Sequence, residues 1–238
     1  MRRIEKQAGT PDCLSEFIEL QLQSGPPVVN LCYPEFKNPG KKQLHELLTR
    51  EQFGICGYTG APIDERIENL QVPRPKIAYS NHIEHLKCQE ACKAELDAAG
   101  LEYGCDLCDD LAYHNMIAAL EVRGVKEEHF GAVYKADNEL RIWPTQDGCE
   151  ERFRFHEVDG GVSALDPDAK HAVEVLHLNH DTLKGWRKAA LDSFLDPEVI
   201  VTREDFERVV QAVEQSSNDK LPEFSFVIAS VAKQYLEA

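Results

Sequence analysis

Ser80-Asn81-His82-Ile83-Glu84-His85-Leu86 is the stretch on which the reading of this chain turns. From Ile77 to Leu86 the residues alternate and include β-branched types, which predicts a strand. At its end a carboxylate stands beside an imidazole, and Asn115 and His129 follow further on. A carboxylate suits Mg²⁺ or Mn²⁺, and an imidazole near neutrality suits proton abstraction. Neighbours on a strand point to opposite faces, but where a strand runs into a loop both can border one cavity. Such a set can hold one divalent metal and leave a histidine free to take a proton from water. That is the chemistry a one-metal phosphodiester cleavage requires.

Upstream, Thr10-Pro11-Asp12 reads as a helix start, and Leu14, Phe17, Ile18 and Leu22 recur at helical spacing to about residue 23. Ser24-Gly25-Pro26-Pro27 stops that helix. A second helix runs from Gln43 to about Phe53, with Gly54 as its cap. A short basic arm (Arg2, Arg3, Lys6) precedes both, and a hairpin-like segment at 55–60 and a polar stretch with Pro73 and Pro75 follow. Downstream, residues 88–110 form an acidic, cysteine-bearing insertion, helical over Glu90 to Ala99. An ordered segment begins at Tyr113, and a helical turn is expected over Glu127 to Lys135.

Beyond that the pattern changes. Leu140 to Pro144 and Arg152 to His156 read as strands, and Asp159-Gly160-Gly161 is a turn into a third. Four helices then follow, over Ala169–Leu176, Asp181–Phe194, Thr202–Gln215 and about Phe224–Leu236, the third capped by Thr202 and Asp205. The fold class expected is α+β. Residues 1–54 form an N-terminal arm and helices, 55–140 the chemistry-bearing core with its insertion, and 141–238 a hairpin with a largely helical C-terminal region.

At 238 residues the chain can bury a sizeable core. No run of about 18 apolar residues occurs, so no membrane span is expected. The N-terminus lacks the apolar core of a signal peptide, which points to a cytoplasmic protein. Eight cysteines in such a compartment are not a disulfide framework. A formal charge of −16 argues against a protein that coats nucleic acid by bulk attraction. An acidic nuclease needs a local basic patch, a metal or a partner that delivers its substrate.

A Glu-His pair carries no signal alone, and a single histidine more often satisfies a local hydrogen bond. Its surroundings carry more. IEHLKCQ at 83–89, AYHNMIAAL at 112–120 and HFGAVYK at 129–135 resemble, in order and approximate spacing, the His-Asn-His (HNH) nuclease motif. The resemblance implies a ββα-metal unit with His85 as general base, Asn115 as the motif's asparagine and His129 as the metal histidine. Glu84 falls where that family places a metal ligand for Mg²⁺ or Mn²⁺. MRRIEK with Pro11, CEERFRF at 149–155, the Gly160-Gly161 turn and LHLNHDTLKGWRKAAL at 176–191 are similar to the PtuB subfamily, the HNH subunits of Septu and related retron anti-phage systems. That likeness touches most of the chain and least the 88–110 region. It implies an endonuclease acting on DNA or RNA as the effector of an anti-phage complex, with a PtuA-like ATPase as partner.

The chain departs from the family pattern in its zinc ligands. Cys56 and Thr59 stand where one Cys-x-x-Cys pair is usual, and Ala119 and Phe130 stand near the other, so the usual structural zinc is not implied. Cys88, Cys92, Cys105 and Cys108 have spacing that suits a tetrahedral Zn²⁺ site, with four free thiols in a solvated loop as the alternative. His82 could stand behind His85, and Lys135 and Arg123 could contact phosphate. The competing function is a catalytically silent, zinc-containing adaptor docked on an ATPase, and a third is a freestanding restriction-like nuclease.

Overall fold

The computed structural model describes residues 1–24, 28, 30–72 and 77–237. The expected turn residues at 25–27 and the prolines at 73 and 75 lie outside them. The alternation at 78–85 does form a strand, β1 (Ala78–His85), antiparallel to β2 (Met116–Arg123). Ala78 faces Arg123 at one end of the ladder and His85 faces Met116 at the other. β2 is buried over most of its length, because both of its faces meet protein.

The helices ahead of β1 form one wall of this hairpin. α1 (Asp12–Gln23) packs on α2 (Gly40–Glu51), and α2 buries Leu44 and Leu48 against the sheet. Just past α2, the Gln52 side-chain amide accepts from Ala118 N (2.7 Å) and donates to Ala118 O (2.8 Å). It thereby serves β2 as a fragment of a neighbouring strand would. Gly54 has φ +72°, and a Cβ there would come within 2.3 Å of the Asp64 carboxylate. The expected glycine cap is shifted: α2 is capped at Gln52, Phe53 follows at φ +53°, and Gly54 is the second left-handed residue, where glycine carries no Cβ penalty.

The insertion contains α3 (Gln89–Ala99), ended by Gly100 in the left-handed conformation. After β2 a 3₁₀ turn leads to α4 (Ala132–Lys135), a single helical turn on β2. A second small sheet pairs β3 (Phe153–Phe155) with β4 (Val162–Ala164). Four helices complete the chain: α5 (Pro167–Val175), α6 (Asp181–Phe194), α7 (Arg203–Glu214) and α8 (Ser225–Glu237). The full capping box of Thr202 and Asp205 opens α7 as expected. Gly160 has φ +68° and lets its turn touch α6, where a Cβ would lie 2.2 Å from Lys184 O. This is an α+β architecture with one core cluster running from Met1 to Ala232 across all three sequence segments.

One expectation needs correction. Leu140 to Pro144 is not a strand. Trp143 Nε1 donates to Leu140 O (3.0 Å) and Gln146 N to Trp143 O (3.0 Å), so the segment folds into a turn. Its β-branched and aromatic residues are instead serving burial. The N-terminal basic arm packs into the fold. Met1 and Ile4 are buried, Arg2 N donates to Gly57 O, Ile4 N to Pro144 O, and Lys6 Nζ pairs with Glu51 and Met116 O. Among the described residues no helix is long and apolar enough to cross a membrane.

Candidate active site at the end of the hairpin

His85 is the last residue of β1 and is buried at 6% exposure. Its Nε2 lies 2.9 Å from Asp110 O. A carbonyl only accepts, so Nε2 carries the proton and Nδ1 keeps a lone pair. Burial lowers the His85 pKa, against the opposing pull of the Asp110 carbonyl, and so favours the neutral ring. The edge of Tyr33 packs against the ring at 4.4 Å between centroids.

Asn115 holds the loop that supplies this carbonyl. Its Oδ1 accepts from Lys87 N (2.7 Å), and its Nδ2 donates to Lys87 O (3.0 Å) and Asp109 O (2.8 Å). It thus ties the start of the insertion to its end, next to Asp110. The Asp110 carboxylate is itself buried and accepts from Tyr33 N, the Tyr103 hydroxyl and Cys108 Sγ. Asn115 and His85 therefore belong to one hydrogen-bonded assembly, although 30 positions apart in the sequence.

Glu84 leaves the strand on the other face. Lys135 Nζ is 2.9 Å from its Oε1, and His82 Nε2 is 3.4 Å from its Oε2. Lys135 is 1% exposed and also reaches His85 O (3.3 Å) and Ala136 O (3.2 Å). It is consequently not available to a phosphate in solution, which corrects the expectation drawn from its charge. Arg123 is exposed and pairs with Glu121 on its own strand. Tyr58 is fully buried, and its hydroxyl has no hydrogen-bond partner. Burial pushes its pKa well up, and the nearby charge of Glu84 adds to that.

No known family model matches this chain, and no curated protein is similar to it.

The structure does not bring His129 to Glu84. His129 Nε2 lies 3.3 Å from Gly124 O, just past the Ala78–Arg123 end of the ladder. Glu84 is six rungs away, about 20 Å at the rise of a β-strand. One metal ion cannot bridge that gap. The four insertion cysteines are not assembled either. Cys88 Sγ caps α3 by accepting from Ala91 N, Cys108 Sγ bonds Asp110, and Cys105 lies in the turn between Tyr103 and Asp106. Among the described residues no three His, Cys, Asp or Glu side chains converge as metal ligands. Of the expected set, His85 and Asn115 meet, Glu84 adjoins them through Lys135, and His129 stands apart. His82 was legible as a histidine near the motif. Tyr58 carried no sequence signal, since only the packing of the 55–63 segment buries its hydroxyl.

Proposed function

We propose that this chain is an HNH-type endonuclease, with β1, β2 and α4 as its ββα unit, acting in an anti-phage complex with a PtuA-like ATPase. The observation that carries this reading is the neutral imidazole of His85, fixed in one tautomer by a loop that Asn115 fastens. A base of this kind takes a proton from water through Nδ1 as the water attacks phosphorus in line. Asn115 acts as a positioning residue through Asp109 and Asp110. Glu84 would hold Mg²⁺ or Mn²⁺, which when bound supplies positive charge to the phosphate and to the leaving 3′ oxygen. The ATPase partner answers the charge problem, because a chain of formal charge −16 needs help to reach nucleic acid.

The test is Mg²⁺-dependent nicking of supercoiled plasmid and of structured RNA, by the chain alone and with the ATPase, with and without chelator. Chelator-sensitive cleavage lost in His85→Ala supports the reading. Cleavage by a folded His85→Ala at the parent rate ends it. The distance of His129 from Glu84 favours a second reading, a silent adaptor on the ATPase. That reading is supported if no condition yields cleavage while the complex still forms.

A further inference from the structure

We infer that a cavity between α6 and the turn ahead of α8 is a docking site for an arginine side chain of a partner protein, with Glu223 as its carboxylate anchor and Trp186 as an apolar wall. The cavity has a volume of about 430 Å³. Three stretches enclose it: residues 69–72, the face of α6 that carries Gly185, Trp186 and Ala189, and Glu223 with Phe224. Much of this lining is exposed, Val72 at 52%, so the walls are too shallow to engulf a free small molecule. A side chain delivered by a larger partner needs no such enclosure.

Glu223 is the only charged residue among the described lining. It is half-buried and makes no hydrogen bond or ion pair with any described residue. Burial raises its pKa, while the positive charge of Arg66 pulls the other way. Arg66 is not free to pair with it, because its guanidinium nitrogens are engaged by Asp64, Gly54 O and Leu221 O. A half-buried carboxylate without a counter-ion has lost hydration that an incoming cation would replace. Its place is fixed from both sides, since Leu221 N donates to Phe53 O (3.0 Å) and Phe224 N to Gly60 O (2.8 Å). Phe224 is held at φ +56°, a conformation rare for a bulky side chain. Backbone strain of this kind collects at binding sites.

On the facing wall, α6 leaves room. Gly185 lies inside the helix, where glycine is less favourable than alanine. It has no positive φ, and a Cβ there would meet no atom within 4 Å. Nothing among the described residues accounts for the missing side chain, whereas a partner lying over that face does. Arginine suits the cavity better than lysine. Its planar fork can meet both oxygens of one carboxylate, and its weakly hydrated guanidinium tolerates walls such as Trp186 and Phe224. A formal charge of −16 also favours encounter with a basic surface.

The experiment titrates a blocked glycine-arginine-glycine peptide into the isotope-labelled full-length protein and follows the indole N–H resonances, assigned with Trp186→Phe. The Trp186 signal should shift saturably, and that of Trp143, whose Nε1 is bonded to Leu140 O, should not. A citrulline peptide, of the same shape without the charge, should bind about tenfold more weakly, and so should the arginine peptide to Glu223→Gln. Gly185→Leu should fill the cavity and abolish binding, and Ala189→Leu replaces it if circular dichroism shows Gly185→Leu unfolded. Glu16→Gln, which removes an exposed charge from α1, should bind as wild type. Equal binding of the two peptides, an equal loss in Glu16→Gln, undiminished binding by the folded cavity-filling variant, or no shift in wild type would each overturn the proposal. So would tighter binding by Arg74→Gln, because the chain's own Arg74 would then be the competing occupant. The endonuclease reading stands or falls separately, on His85→Ala.

Discussion

The two ends of the β1–β2 hairpin differ in what they hold. At the His85–Met116 end, Glu84, His85, Asn115, Asp110 and Lys135 are joined by hydrogen bonds and an ion pair in a largely buried network. At the Ala78–Arg123 end, the His129 ring lies against the Gly124 carbonyl, and the Arg123–Glu121 pair lies beside solvent. Both ends carry residues that fit one sequence motif. The difference teaches that order along the chain does not fix convergence, because an eight-residue ladder carries the chain away from the site before α4 brings it back. What α4 returns to Glu84 is Lys135, three positions past the start of that helix, and not His129.

The sharpest way to break this comparison is to remove each histidine. On the proposed endonuclease reading, His85→Ala should lower cleavage by at least the ~10²–10⁴-fold that general base catalysis contributes. His129→Ala should leave the rate within about twofold. Single-turnover nicking assays with the proposed ATPase partner present measure both, and equal losses would erase the distinction between the ends.

Much of the well-packed end was legible. The alternation of residues 77–86 marked β1, and the resemblance singled out Asn115. The capping box at Thr202 and the left-handed glycine after α2 also followed from local chemistry. Register was not legible, since nothing in the residues of β2 states that Arg123 pairs with Ala78 and Met116 with His85. The burial of Lys135 was equally hidden. A lysine reads as solvated until a carboxylate and two carbonyls from distant positions surround it. The 140–144 segment misled for a related reason, because aromatic and β-branched residues report burial as readily as strand.

Lys135→Ala sharpens the comparison through stability. It strips the cation from a carboxylate that is 12% exposed and leaves two carbonyls, of His85 and Ala136, without their donor. Breaking a buried pair by removing one partner costs about 3–5 kcal/mol. Adding Glu84→Gln should recover part of that loss, because the unpaired charge is then gone. Arg123→Ala at the exposed end should cost less than about 1 kcal/mol. Urea unfolding of the two single variants and the double variant measures this, and equal costs at the two ends would contradict the burial described.

Asn115→Ala should come next. Three hydrogen bonds to Lys87 and Asp109 disappear, at roughly 0.5–1.5 kcal/mol each, so a loss of about 2–4 kcal/mol is expected. Cleavage should fall further than stability alone explains, since the Asp110 carbonyl no longer holds the His85 ring. Asn115→Asp keeps an acceptor for Lys87 N but loses both donors, and it should lie between wild type and Asn115→Ala. Amide hydrogen exchange at Lys87 and Leu86 reads the loosening directly.

The smallest effect concerns acid. Burial depresses the His85 pKa in the folded chain, while in the unfolded chain the ring titrates near the usual value of about 6.5. Above that value neither state binds the proton, and the neutral ring costs nothing. As pH falls through 6.5 toward the depressed folded value, the unfolded state binds more protons and stability declines. His45, also depressed by burial, acts in the same direction. The contribution of His85 is therefore isolated by comparison with His85→Gln, which keeps a donor for the Asp110 carbonyl and cannot titrate. Between pH 7.5 and 5.5 the melting temperature of wild type should fall more steeply than that of His85→Gln. Parallel slopes would mean that the ring is protonated as easily in the folded chain as in water, and the buried neutral base at the centre of the well-packed end would have to be given up.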